Sequence, residues 1–283
     1  MRWTPGGVSR DIIDRRAGGG GGFGFGRGPT IGCGGLIILL VLSLITGRNF
    51  FTFVDDGSVT QSPASSTAPV SQTPDEERTV QFVSFVLDDV QDNWEKTFAD
   101  EGIQYERAKL VLFRDMTQSA CGRGQAATGP FYCPADGMVY LDLSFFDELE
   151  RRLGAPGEFA QAYVIAHEIG HHVQNVTGTA RRVQELMRRD SRNANAYSVR
   201  LELQADCYAG VWANSTAQRN LLEQADVEAG MNAAAAVGDD RLREMSGRAV
   251  NPESFTHGSS ADRMQWFQRG LQSGRMRDCE TFQ

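Results

Sequence analysis

Apolar positions change their rhythm along the chain, and each rhythm predicts a different element. From Thr30 to Gly47 eighteen residues carry no charge, centred on Leu36-Ile37-Ile38-Leu39-Leu40-Val41-Leu42. A helix of about 20 residues spans a hydrocarbon core, so this stretch predicts one transmembrane helix. Arg48 can snorkel from its end, and Phe50, Phe51 and Phe53 suit the interface. Further on, Val80, Val83, Val86 or Leu87, Val90, Trp94 and Phe98 recur at helical spacing and predict an amphipathic helix. Leu110–Phe113 and Met138–Leu143 are short apolar or alternating runs, which predict strands. Beyond them the spacing predicts helices near 144–153, 158–176, 179–189, 192–216, 220–236 and 259–273. The fold class expected is α+β, mostly helical with a small β-sheet, preceded by the transmembrane helix.

Polar punctuation sets the boundaries. Residues 1–29 are Gly-rich, with an unbroken run from Gly18 to Gly22, and are expected to be a disordered tail. Residues 30–54 form the membrane helix and its flank. Residues 55–75, rich in Ser, Thr, Pro and Gln, read as a linker, and residues 76–283 as the folded domain. Arg2, Arg10, Arg15, Arg16, Arg27 and Arg48 stand against only Asp11 and Asp14 in the first 48 residues. Positive residues stay inside, so a single-pass topology is expected, with a cytoplasmic N-terminus and an extracytoplasmic domain. A cleaved signal peptide is the alternative; the long leader and the lack of a small-x-small site favour the anchor.

The net charge of −8 argues against a nucleic-acid partner, because phosphate binding needs a basic face. Of the five cysteines, Cys33 lies in the apolar run. The other four suggest disulfides in an oxidising compartment, with Cys121–Cys133 and Cys207–Cys279 the favoured pairs and buried free thiols the alternative. No C-x-x-C pair exists, which argues against a cysteine zinc site.

Candidate chemistry concentrates in His167-Glu168-Ile169-Gly170-His171-His172, inside an apolar, helix-competent stretch. Residues four apart share one helical face, so His167 and His171 can offer imidazole nitrogens to one metal ion. Glu168 then points beside the metal, placed to take a proton from a bound water. His172 turns about 100° away and reads as a core residue. Gly170 costs about 1 kcal/mol of helix stability relative to alanine, which a close neighbour over that face would explain. Catalytic zinc usually has three protein ligands and an open position. The downstream third histidine of H-E-x-x-H-x-x-G-x-x-H is absent, since position 174 is Gln and position 177 is Thr. Glu202 is the better candidate, with Glu185 in reserve. Asp206, four residues after Glu202 and set among apolar residues, would accept the spare N–H of a ligand histidine. His257, followed by Arg263, is a candidate for stabilising an oxyanion or for ordering a loop. The strand Met138–Leu143 could be an edge that pairs with an extended peptide, or an ordinary core strand. The alanine run Ala233–Ala236 reads as close helix packing.

From about Val80 to the C-terminus the chain resembles the bacterial neutral zinc metallopeptidases. The matching pieces are Gly129–Pro134, Tyr140-Leu141-Asp142, His167–His172, Glu202–Cys207, and His257-Gly258-Ser259-Ser260 with Arg263 and Trp266-Phe267. The metal motif is in turn similar to the thermolysin-like zincins. That resemblance implies a zincin-like domain in a bacterial cell membrane, one catalytic Zn2+ on His167, His171 and Glu202, Glu168 as base, Asp206 behind a histidine, and a peptide or protein substrate. Two rival readings use the same residues. One is an amidase of cell-wall peptide; the other is a non-catalytic scaffold whose structural zinc is closed by His257.

Overall fold

The computed structural model describes residues 1–17, 73–125 and 129–282. The expected membrane helix and nearly all of the linker lie outside the described residues. Among the described residues no helix is long and apolar enough to cross a membrane.

Helix α1 (Pro74–Asp100) opens where the chemistry of helix starts demands it. Thr73 accepts the Glu76 N–H, Pro74 fills the first turn, and Asp75, Glu76 and Glu77 face the positive end of the dipole. Its apolar stripe is the one expected, with Val83, Val86, Leu87, Val90 and Trp94 fully buried. Burying each such side chain contributes about 1.5–3 kcal/mol.

Strands β1 (Ile12–Asp14), β2 (Lys109–Phe113), β5 (Phe131–Cys133) and β6 (Met138–Asp142) form a sheet in the order β1-β2-β6-β5. The first three in that order run parallel, and β5 is antiparallel to β6. Strands β3 (Met116–Ser119) and β4 (Gly122–Gln125) make a separate hairpin. Alternation divides the sheet's two faces. Leu110, Leu112, Val139 and Leu141 join the main core with α1, while Val111, Phe113, Phe131 and Tyr140 form a smaller cluster behind.

The helical part follows as α2 (Ser144–Arg151), α3 (Glu158–Val176), α4 (Thr179–Arg189), α5 (Ala194–Gln218), α6 (Gln224–Ala236), α7 (Asp239–Met245) and α8 (Ser260–Ser273). Helices α5 and α8 meet backbone to backbone. A Cβ on Gly210 would strike the Phe267 carbonyl, and one on Gly270 the Cys207 carbonyl. Ala233, Ala234 and Ala236 are fully buried, as close packing of α6 requires. The disulfide Cys121–Cys133 ties the segment between β3 and β4 to β5, and Cys207–Cys279 ties α5 to the C-terminal segment, as the favoured pairing had it.

Three expectations need correction. Residues 1–17 are not a tail outside the fold. β1 pairs with β2 in register Ile13↔Val111, Trp3 packs edge-on against Phe82, and buried Asp11 binds Arg107 and Lys109 at 2.7 Å each. The adjoining glycine run hid a segment of ordinary composition. The strand Met138–Asp142 is not an edge: β2 and β5 flank it, so its backbone groups are already engaged. The free edge on that side is β5, inside a stretch whose glycine and prolines read as turn. Helix α7, a short segment between Gly238 and Ser246, was missed altogether.

Candidate metal centre

Helices α3 and α5 build the site between them. They approach closely because Gly170 removes a side chain from the contact. A Cβ there would lie 3.0 Å from the Ala205 carbonyl oxygen and 3.1 Å from its Cα. Next to this contact, His167 Nε2 lies 3.3 Å from one Glu202 carboxylate oxygen and His171 Nε2 lies 3.5 Å from the other. The donor atoms of the three residues all fall within 4.8 Å of one another. Zinc–ligand bonds of about 2.0–2.1 Å in a tetrahedron imply ligand–ligand edges of about 3.3 Å. Two imidazoles and a carboxylate at these separations therefore fit zinc in both donor type and spacing.

Each histidine is oriented from behind. His167 Nδ1 lies 2.8 Å from Asp206 Oδ1, and His171 Nδ1 lies 2.9 Å from Gln174 Oε1. Both contacts leave Nε2 facing the cluster. Asp206 is completely buried and sits in a network of charged and polar partners. Arg263 donates to both its oxygens at 2.8 and 3.0 Å, and the Tyr163 hydroxyl donates to Oδ1. Arg263 is thus committed to Asp206 rather than open to a substrate.

Electrostatics follow from burial against these partners. Burial alone would raise the Asp206 carboxyl, but Arg263 and His167 outweigh it and hold the pKa below the usual carboxylate value. Glu202 is likewise pushed up by burial and held far down by His171, His257 and His167. Burial opposes a charge on His167, yet Asp206 and Glu202 lift its pKa to about 9. His171 is raised in the same way, chiefly by Glu202 against burial. Without metal, the carboxylates of this pocket favour protonation of both imidazoles against their burial.

A cavity of about 350 Å³ opens over the cluster. Glu168 lines it at 8% exposure and makes no hydrogen bond among the described residues, so its carboxylate is free to act. His257 also lines it. Its Nδ1 lies 3.0 Å from the Thr256 hydroxyl and 3.4 Å from Asp239 Oδ1, which leaves Nε2 available. Burial disfavours its charge, but Glu202 and Asp239 raise its pKa. Asp239 Oδ2 accepts the backbone N–H groups of Thr256, His257 and Gly258 at 2.7, 2.7 and 3.2 Å. The edge strand β5 contributes Phe131 and Tyr132 to the wall.

Other sequence candidates fall elsewhere. Glu185 and His257 are not in the clustered donor set. His172 is a core residue, between the Tyr132 hydroxyl at 3.1 Å and the Glu106 carbonyl at 2.6 Å, and burial lowers its pKa. Tyr163, Gln174 and Asp239 were not anticipated. A signal existed for two of them. Tyr163 lies four residues before His167 and Gln174 three after His171, each on its histidine's face.

The family described as "Putative neutral zinc metallopeptidase" matches residues 1–282. An uncharacterized protein of Escherichia coli strain K12, YpfJ, is 47% identical over 288 residues, covering 100% of this chain and 99% of its own. An uncharacterized protein of Mycobacterium tuberculosis strain H37Rv is 43% identical over 189 residues, 63% of each chain. No solved structure matches the chain.

Proposed function

The chain belongs to the neutral zinc metallopeptidase family, and on that footing we propose that it is a zinc-dependent endopeptidase with a zincin-like catalytic domain. The observation that carries this reading is the meeting of His167, His171 and Glu202 on the wall of a cavity that also holds an unpartnered Glu168. His167, His171 and Glu202 would hold a zinc ion, which would supply Lewis-acid activation of a water and of the substrate carbonyl. Glu168 takes the proton from the attacking water and passes it to the leaving amine. Asp206 and Gln174 fix the two histidine rings, so that both Nε2 lone pairs converge. His257, whose pKa Glu202 and Asp239 raise against burial and whose ring Asp239 holds, faces the developing oxyanion. Arg263 keeps Asp206 ionised and is a positioning residue.

An extended peptide has β5 as the available edge, with Tyr132 beside it. The reading of zinc as a closed structural brace needs a fourth protein ligand. Among the described residues no fourth histidine, cysteine or acid joins the donor set, which supports an open position. A cell-wall peptide amidase would use the same groups, and only a substrate screen separates it.

Anchoring by residues 30–54, with the domain outside the cytoplasm, is part of the same proposal; the two disulfides support an oxidising compartment. A strand bonded to β2 lies on β2's side of any membrane. A single crossing with a cytoplasmic N-terminus therefore requires β1 to be released from the sheet. Protease access to an N-terminal tag on intact cells distinguishes the docked from the crossed arrangement.

The decisive test of the catalytic reading is Glu168→Gln. Retained zinc with cleavage of a casein or peptide substrate lost supports it, and full turnover in that variant rejects it.

A further inference from the structure

The two histidines of the metal centre are held by different kinds of partner. His167 rests on the carboxylate of Asp206, which accepts an N–H from either oxygen. His171 rests on a neutral amide, with its Nδ1 2.9 Å from Gln174 Oε1. A primary amide accepts at its oxygen and only donates at its nitrogen. With Oε1 towards the ring, Nδ1 carries the proton and Nε2 offers its lone pair to a metal. With the amide turned over, the NH2 group would favour the opposite tautomer, with a proton on Nε2 where the metal belongs. The two orientations have the same shape, so packing cannot choose between them. Hydrogen-bond partners must.

Two backbone carbonyls, which cannot turn over, set the direction. Gln174 Nε2 donates to the Leu201 carbonyl at 2.7 Å and to Gln204 Oε1 at 3.1 Å. Gln204 Nε2 donates in turn to the Cys279 carbonyl at 3.1 Å. Gln174 and Gln204 are 1% and 3% exposed, so bulk water does not compete for these bonds. A buried amide is costly unless bonded, and Gln204 uses both of its ends in this chain. The outer acceptor is itself fixed. The Cys207–Cys279 disulfide ties the C-terminal segment to α5, and the Thr281 hydroxyl donates to the Arg200 carbonyl at 2.8 Å. The ties at 200, 204 and 207 recur along one side of α5.

We propose that Gln204 is a positioning residue for the metal, and that the disulfide-held C-terminal segment is the outer part of the metal centre. The Cys279 carbonyl orients Gln204; Gln204 and the Leu201 carbonyl orient Gln174; and Gln174 holds His171 in the tautomer that presents Nε2. The inference rests on the zinc reading above and adds a dependence to it. Zinc affinity falls when the disulfide is lost, although neither cysteine belongs to the donor set among the described residues. The centre reaches its full affinity only in the oxidised protein.

The test is chelator competition for zinc, measured on the full-length wild type, Gln204→Met, Cys207→Ala/Cys279→Ala and the combined triple variant; it does not depend on peptidase activity. Gln204→Met is expected to bind zinc roughly tenfold more weakly, at the low end of what outer partners of a ligand contribute. The disulfide-free variant should lose affinity as well. The triple variant should be no weaker than the weaker of the other two, because both changes break one chain of bonds. A merely structural role would make the losses add. In zinc-loaded protein with 15N-labelled histidine, the His171 Nδ1 proton should exchange with solvent faster in Gln204→Met, while that of His167 stays as in the wild type. Should the disulfide-free variants fail to fold, the Gln204→Met affinity and this exchange rate decide. Equal zinc affinity in wild type and Gln204→Met, or additive losses in the triple variant, overturns the proposal and leaves the zinc site standing. A wild type that binds no zinc overturns both.

Discussion

Gly170, one residue before the candidate ligand His171, lies against Ala205, which is three residues after Glu202, with 3.0 Å left between a would-be Cβ and the Ala205 carbonyl oxygen. The spacing of the two ligand helices is set at this contact. Gly170→Ala gains about 1 kcal/mol of helix propensity but adds a methyl against a backbone that can move only as a whole helix, at a cost of about 1–3 kcal/mol. The variant is expected to melt at a lower temperature and to lose zinc to a chelator at lower concentration than the parent. An unchanged chelator midpoint would show that the contact does not set the site's geometry.

Asp206→Asn keeps the shape and removes the charge. His167 loses its anionic partner, for which a roughly 10–100-fold loss in zinc affinity is expected. Arg263 becomes an uncompensated buried cation, and removing one partner of such a pair costs about 3–5 kcal/mol. Denaturant unfolding of the metal-free protein reads the second effect separately from the first. Stability equal to the wild type would mean that Arg263 finds another acceptor.

Zinc must compete with protons. With the His167 pKa lifted to about 9 in the metal-free pocket, that imidazole is charged at pH 7 and must be neutral to bind metal. The sign follows: the raised pKa favours the proton, so zinc affinity falls as pH drops below about 9. Zinc titrations at pH 7 in two buffers of different ionisation enthalpy should report release of about one proton or more per ion. Identical heats in both buffers would contradict the arrangement.

His257 and Asp239 should separate turnover from metal. His257→Ala is expected to keep its zinc and lose about 10²–10³-fold in kcat, with KM changed far less. Asp239→Asn weakens the pairing and the three backbone contacts together, so its loss should be in the same direction with a lower melting temperature. Zinc loss in His257→Ala would make the residue a ligand instead.

Much of the site could be read from spacing because its parts lie on two helices. His167 and His171 share a face by periodicity, as do Glu202 and Asp206, and only the approach of the two helices was left to the fold. Asp239 could not be read that way. Its role depends on a loop eighteen residues later folding its amides back over one carboxylate, and no local pattern announces that. The sheet was less legible for a related reason. Alternation in Met138–Asp142 shows a strand but not its neighbours, and β5 is three residues long within glycine and proline. β1 is as short and stands beside a glycine run. Two of these strands acquire their identity only by pairing.

The docked segment 1–17 has a practical consequence for handling the protein. A recombinant version cut back to residue 73 looks natural from composition, yet it would strip β2 of its neighbour and Lys109 of Asp11. An uncovered row of backbone donors and acceptors beside an apolar face recruits whatever strand comes near. Such a trimmed preparation should self-associate, and supplying residues 1–17 as a separate peptide should dissolve those clumps.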